Sequence, residues 1–200
     1  MIKKYLCLFL FLLAASPLFA DPAAPAEGRS VVYDVRPGDN LTTIAKKHGV
    51  TTGLIRAANG ISGDRLDIGQ KLKIPTYKLS IQIDKSDNTL TLRADDDVLK
   101  TYIVATGTNN STPVGTFKVT DKLENPTWYK AGAVVAPGSA DNQLGTRWIG
   151  INLKGYGIHG TIDPGSLGKQ ITAGCVRMKN EDVEELYRLV PPGTSVTIVD

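Results

Sequence analysis

The chain alternates between two kinds of hydrophobic pattern, and the change of period marks its organisation. Val31-Val32-Tyr33-Asp34-Val35 alternates like a strand. Pro37-Gly38 turns the chain, and Asp39 or Asn40 can cap a helix. Leu41, Ile44, Ala45 and His48 then recur at helical spacing, with Gly49 as a natural stop. A second short helix carries Leu54, Ile55 and Ala58 and ends at Asn59-Gly60, and Lys71 to Ile74 is a strand closed by Pro75. The order is strand, helix, helix, strand within residues 31–75.

From Thr76 onward the period is mostly two. Leu79 to Ile83, Thr89 to Arg93, Leu99 to Ala105, Thr116 to Thr120, Trp148 to Leu153 and Ser195 to Val199 read as strands separated by Gly, Asn, Asp and Pro clusters. Ser86-Asp87-Asn88 suits a hairpin turn. One clear helix follows, capped by Asn180, with Glu181 and Asp182 near its positive end. Val183, Leu186, Tyr187 and Val190 form its apolar face, and Pro191-Pro192 ends it.

The N-terminus is different again. Lys3 and Lys4 precede an apolar run, Tyr5 to Ala15, and residues 16–20 form a cleavage region, as in a secretory signal. The run is shorter than the roughly 20 residues that span a bilayer. Cleavage after Ala20 or after Ala26 fits the small residues there, and residues 21–30 read as an Ala- and Pro-rich tether. The chain of 200 residues therefore divides into signal (1–20), linker (21–30), a small unit (31–75) and a larger domain (76–200). The expected location is outside the cytoplasm, in the periplasm or cell wall, with no membrane span after cleavage. Loss of Lys3 and Lys4 lowers the net charge from +3 to +1. That near-neutral balance offers no field for nucleic acid.

Cysteine arithmetic sharpens the picture. Cys7 lies in the signal, so the exported chain keeps one thiol, Cys175, which has no internal disulfide partner. A thiol is a weak nucleophile until a base takes its proton. The sequence holds two histidines: His48, on the apolar side of the first helix, and His159, sixteen residues before Cys175. The turn formers of residues 160–168 allow His159 to fold back onto the thiol. Gly174 removes a side chain beside the nucleophile, and backbone N–H groups at Gly174 and Cys175 are candidate oxyanion donors. Were this stretch a strand, Arg177 would share a face with Cys175, where its charge suits a substrate carboxylate or favours the thiolate. Two side chains do not make a catalytic zinc site, so neither metal nor other cofactor is expected.

These residues carry two resemblances. Tyr33 to Leu41, Ile44-Ala45, Asn59-Gly60-Ile61 and Leu66 to Pro75 resemble a LysM domain. That implies binding of N-acetylglucosamine-containing glycan between two loops, at Gly38, Asp39, Asn40 and Leu41 and at Asn59, Gly60 and Ile61. His159-Gly160-Thr161, Pro164, Ser166, Gly168 and Thr172 to Met178 resemble the active-site signature of L,D-transpeptidases, and residues 112–117 and 144–150 resemble that family's framework motifs.

The second resemblance implies a β-rich catalytic fold, sandwich- or barrel-like with one clear helix, behind a small βααβ LysM domain. It also implies Cys175 as nucleophile, His159 as base, the Gly160 carbonyl as orienter of the imidazole, and Arg177, Gly174 and Thr161 along the substrate. The partner is peptidoglycan, both glycan strands and stem peptides. Many relatives carry Ser-His-Gly-Cys where this chain has Thr172-Ala173-Gly174-Cys175, so a second histidine is missing. Water in place of an amine acceptor makes the enzyme an L,D-carboxypeptidase, and a non-catalytic wall-binding protein is the remaining alternative.

Overall fold

A computed structural model describes residues 29–200. The signal segment, Cys7 and residues 21–28 of the tether lie outside the described residues. Arg29 and Ser30, read as part of the tether, belong to the folded body. Arg29 donates to the Ala94 carbonyl at 3.1 Å, pairs with Asp95 and Asp97, and lies over the Tyr77 ring.

The first unit runs β1 (Ser30–Asp34), α1 (Leu41–His48), α2 (Thr52–Asn59) and β2 (Lys71–Pro75), with the two strands antiparallel. Asn40 is the N-cap of α1: its side chain accepts from the Thr43 N–H, and Thr43 reciprocates. Gly49 and Gly60 end the helices in the left-handed region, as C-terminal glycines do. Leu41, Ile44, Ala45, Ile55, Leu72 and Ile74 make a small core. The alternation expected of residues 31–35 appears in burial only from Tyr33 onward: Tyr33 packs on the core, Asp34 is exposed and Val35 is buried, whereas Val31 and Val32 are both exposed.

The larger body continues through β3 (Leu79–Asp84), β4 (Thr89–Ala94), β5 (Asp97–Ile103), β6 (Thr106–Gly107) and β7 (Gly115–Glu124). Next come β8 (Trp128–Lys130), β9 (Ala133–Val135), β10 (Arg147–Ile151) and β11 (Gly157–His159). It closes with β12 (Gln170–Thr172), β13 (Val176–Arg177), α3 (Asn180–Leu189) and β14 (Ser195–Val199). Eight strands form one sheet in the order β13-β11-β10-β7-β14-β3-β4-β5; β11/β13 and β14/β3 are parallel and the other pairs antiparallel. Ile81, Ile83, Leu90 and Leu92 alternate inward and meet Val183 and Leu186 of α3.

Two readings of this region change. The strand expected over Leu99 to Ala105 is split: β5 ends at Ile103, and β6 leaves the main sheet to pair with β12. Lys179, not Asn180, is the N-cap of α3, and it makes no side-chain cap bond. Asn180 is the first helical residue, and its side chain turns to a tertiary task described below.

The two units share a packed boundary. Leu54 of α2 joins the larger core with Tyr77 and Leu79 rather than the core of its own unit. The Thr51 hydroxyl caps α2 by accepting from the Leu54 N–H at 3.0 Å, and it donates to the Arg188 carbonyl of α3 at 2.6 Å. One hydroxyl thus serves an orphan donor of one helix and an orphan acceptor of the other. Gly53 permits the approach, since a Cβ there would fall on the Arg188 carbonyl oxygen and 2.9 Å from Arg188 Cβ.

Candidate active site

Three neighbouring strands bring the reactive groups together. Trp148 on β10 is registered with His159 on β11, and His159 with Arg177 on β13. Continuing the parallel register back from the Ile158–Val176 pair places Cys175 beside Gly157. Gly157 has no side chain for a physical reason: a Cβ would meet the Trp148 ring at 2.6 Å. The indole covers that gap and stacks on the imidazole, with centroids 6.0 Å apart and planes 16° from parallel. Its Nε1 donates to Asp121 at 3.0 Å, which fixes the ring's rotation. Trp148 was read as a strand residue and as part of the framework motif over residues 144–150, with no role beside the histidine. The one sequence signal for its packing is the aromatic beside a Gly-rich partner strand.

His159 is buried, and its Nδ1 lies 2.7 Å from the Gly160 carbonyl oxygen. A carbonyl only accepts, so Nδ1 carries the proton and Nε2 keeps its lone pair. Burial lowers the imidazole to about 4; the Gly160 carbonyl opposes that shift, and the Arg177 charge adds to it. The ring is therefore neutral at pH 7. The half-buried Cys175 thiol is pushed up by burial and drawn partly back by the Gly157 backbone. Its Sγ lies 3.5 Å from the Gly155 carbonyl. A neutral thiol and a neutral base are the resting state these shifts describe.

The turn before Cys175 is built by Thr172. Its hydroxyl donates to the Cys175 carbonyl at 2.6 Å and accepts from the Gly174 N–H at 3.1 Å. The Gly174 N–H, a candidate oxyanion donor from sequence, is thereby engaged, which leaves Cys175 N–H as the candidate. Gly174 is glycine because its φ is +128° and because a Cβ would meet the Tyr156 ring at 2.8 Å. Ala173 is exposed.

Arg177 is half-buried. It donates to Ser166 Oγ at 3.0 Å and lies 3.4 Å from Gln143 Oε1, and its buried Nε has no partner. No acid lies within ion-pair distance of it among the described residues. Thr161 is buried, and its hydroxyl accepts from the Asp163 N–H at 2.9 Å.

On the first unit, most side chains expected to face glycan have internal work. Asp39 accepts from Tyr33 Oη and the Arg36 N–H, both at 2.8 Å. Asn40 caps α1 and Leu41 is in the core. Asn59 donates to the Ile55 and Lys73 carbonyls and accepts from the Lys73 N–H. Ile61 packs on that core, and Gly38 and Gly60 both take positive φ. A cleft of about 700 Å³ between α2 and α3, lined by Arg56, Tyr77, Lys100 and Glu185, contains neither Cys175 nor His159. Chemistry rather than size locates the reactive site.

The buried neutral histidine has a measurable consequence. In the unfolded chain it binds a proton near pH 6.5, and in the folded protein only near 4. This contribution is fully present above pH 6.5 and is lost as pH falls from 6.5 through 4, by about 3 kcal/mol at most. Denaturant titrations of the native protein and His159→Gln across that window should show a steeper acid slope for the native protein. Equal slopes would contradict the burial of a neutral ring.

Residues 78–198 match the family model of the YkuD L,D-transpeptidase catalytic domain, and residues 33–75 that of the LysM domain. The chain is 35% identical over 175 residues to the putative L,D-transpeptidase YkuD of Bacillus subtilis (strain 168), covering 84% of this chain and 98% of that protein. An L,D-transpeptidase from Mycobacterium tuberculosis H37Rv shares the fold at a TM-score of 0.54 and 16% identity, over 86% of this chain and 91% of that one. The L,D-transpeptidase LdtMt1 in complex with imipenem does so at a TM-score of 0.52 and 17% identity, over 65% and 63%.

Proposed function

The chain belongs to the L,D-transpeptidase family, with a LysM domain ahead of its YkuD catalytic domain, and from that premise we propose that Cys175 and His159 carry the reaction on peptidoglycan stem peptides. The observation that carries the assignment is the His159 Nδ1–H···O=C Gly160 bond, at the end of a strand paired with the one that Cys175 leads into. It leaves Nε2 as an acceptor in a buried, uncharged ring.

The steps follow from those atoms. His159 Nε2 takes the thiol proton as Sγ attacks the carbonyl of the third residue of a tetrapeptide stem. The Cys175 N–H donates to the oxyanion. The C–N bond to the terminal D-alanine breaks, and the imidazolium returns its proton to the departing amine. An amine from a second stem then gives a proton to His159, attacks the thioester and frees the thiol. Water in its place hydrolyses the stem. The exposed Ala173 leaves the acceptor side without a second imidazole.

Arg177, with its unpartnered Nε, is the group we assign to a stem carboxylate. In the LysM domain the backbone of the Gly38–Leu41 and Asn59–Ile61 loops is left to meet glycan, because the Asp39, Asn40 and Asn59 side chains are engaged. Weak binding there raises the local concentration of stems on an insoluble mesh. The protein acts outside the cytoplasm, at the cell wall.

The test is product analysis. A tetrapeptide muropeptide incubated with the protein should release D-alanine together with a cross-linked dimer when an amine-bearing stem is present, and with a tripeptide stem when it is absent. No release of D-alanine under either condition would remove the proposal.

A further inference from the structure

Asn180 was expected to cap α3, yet its side chain leaves the helix and reaches the active-site turn. Its Oδ1 accepts from the Thr161 N–H at 3.0 Å and from the Thr146 N–H at 3.2 Å. Both donors are backbone N–H groups, so the atom they share must be the amide oxygen. We propose that Asn180 is a positioning residue that holds His159 in its Nδ1–H tautomer by gripping the peptide group to which the imidazole is bonded. The inference rests on the reading of His159 as base.

The geometry is specific. The Gly160 carbonyl and the Thr161 N–H are the two ends of one peptide group. The carbonyl end accepts from His159 Nδ1, and the N–H end donates to Asn180. With the N–H end free, that plane can rotate and withdraw the carbonyl. With it bound, the carbonyl is fixed and further polarised toward the ring. The second bond reaches Thr146, two residues before the Trp148 that stacks on the same imidazole. One oxygen therefore ties down both the hydrogen-bond partner of His159 and the segment leading to its stacking partner.

The surrounding glycines fit this role. A Cβ on Gly160 or on Gly145 would fall on Asn180 Oδ1. Gly145 also takes a φ of +63°, and a Cβ there would come 2.6 Å from the Gly160 carbonyl carbon. The amide oxygen occupies the space that two absent side chains leave. The α3 helix supplies a firm base, since Val183 and Leu186 are fully buried. Asn180 Nδ2 makes no hydrogen bond with the described residues, so the role needs only the oxygen. This separates it from a general need for an amide.

Two substitutions and two readouts test it. Asn180→Ala should lower the first-order rate of Cys175 acylation by imipenem about tenfold to a hundredfold, as loss of reactive geometry does. Half-saturation should stay within about twofold, because ground-state binding is untouched. Nitrogen NMR of the resting protein should show His159 protonated at Nδ1 in the native chain and a mixture of tautomers in Asn180→Ala. Asn180→Asp keeps an acceptor oxygen in the same place and should restore both the Nδ1–H state and most of the rate. A tautomer unchanged in Asn180→Ala, or an Asn180→Asp variant that loses the Nδ1–H state, overturns the proposal. If Asn180→Ala does not fold, the Asp variant alone decides. Failure of the underlying reading looks different: the native protein would not be acylated, whatever the tautomer.

Discussion

Replacing His159 by Ala is expected to slow acylation of Cys175 about 10²- to 10⁴-fold, the usual share of a positioned general base. The size follows from the resting state. Burial pushes the thiol up, so few thiolates exist at pH 7 without a proton acceptor. His48 cannot substitute, because it sits on α1 with its ring edge against Tyr33. Ala173 offers no second imidazole. The loss should shrink as pH rises toward and past the thiol's own titration, where hydroxide replaces the base. The check is D-alanine release from the tetrapeptide stem at pH 7 and at pH 9.5 or so, for native and variant protein. A variant within threefold of the native rate at pH 7 would remove His159 from the reaction.

Gly53→Leu should carry the largest structural effect. Its Cβ would land on the Arg188 backbone, which cannot move without dragging α3, so the two helices must separate. Separation strips the Thr51 hydroxyl from the Arg188 carbonyl and draws Leu54 from the core it shares with Tyr77 and Leu79. Overpacking of this kind costs about 1–3 kcal/mol, which corresponds to a fall in Tm on the order of 2–12 °C for a chain of this size. Any shift that reaches the N-terminal end of α3 should slow acylation as well, since Asn180 there holds the Thr146 and Thr161 N–H groups beside His159. Calorimetry with a parallel acylation assay measures both. An unchanged midpoint would mean that the boundary between the units is not packed as described.

The contrast between Leu54 and Ile55 shows how much of this was legible. Both were read as apolar residues of one short helix, and both are buried. Periodicity does not say that adjacent residues serve two different cores. The caps at Asn40, Gly49 and Gly60 were readable because their signals are local. β11, β12 and β13 were not, because strands of two or three residues carry no period. The hairpin of β8 and β9, with Tyr129 and Val134 exposed, escaped for the same reason.

Cys175 and His159 were visible as residue types in a motif. Their settings were not: the Trp148 stack and the Thr172 cage depend on register and on a turn. Asn180 marks the sharpest difference. An Asn before an acidic helical turn reads as a cap, and only the fold shows that its oxygen is claimed by Thr146 and Thr161 from 34 and 19 residues away.

The central claim is that Cys175 forms a thioester with the stem and expels D-alanine. Intact-protein mass spectrometry after rapid acid quench of a reaction with tetrapeptide stem tests it most directly. The account predicts a gain equal to the tetrapeptide minus D-alanine, mapped to Cys175 and absent from Cys175→Ala. A gain that persists in Cys175→Ala, or none at all while D-alanine accumulates, would contradict it.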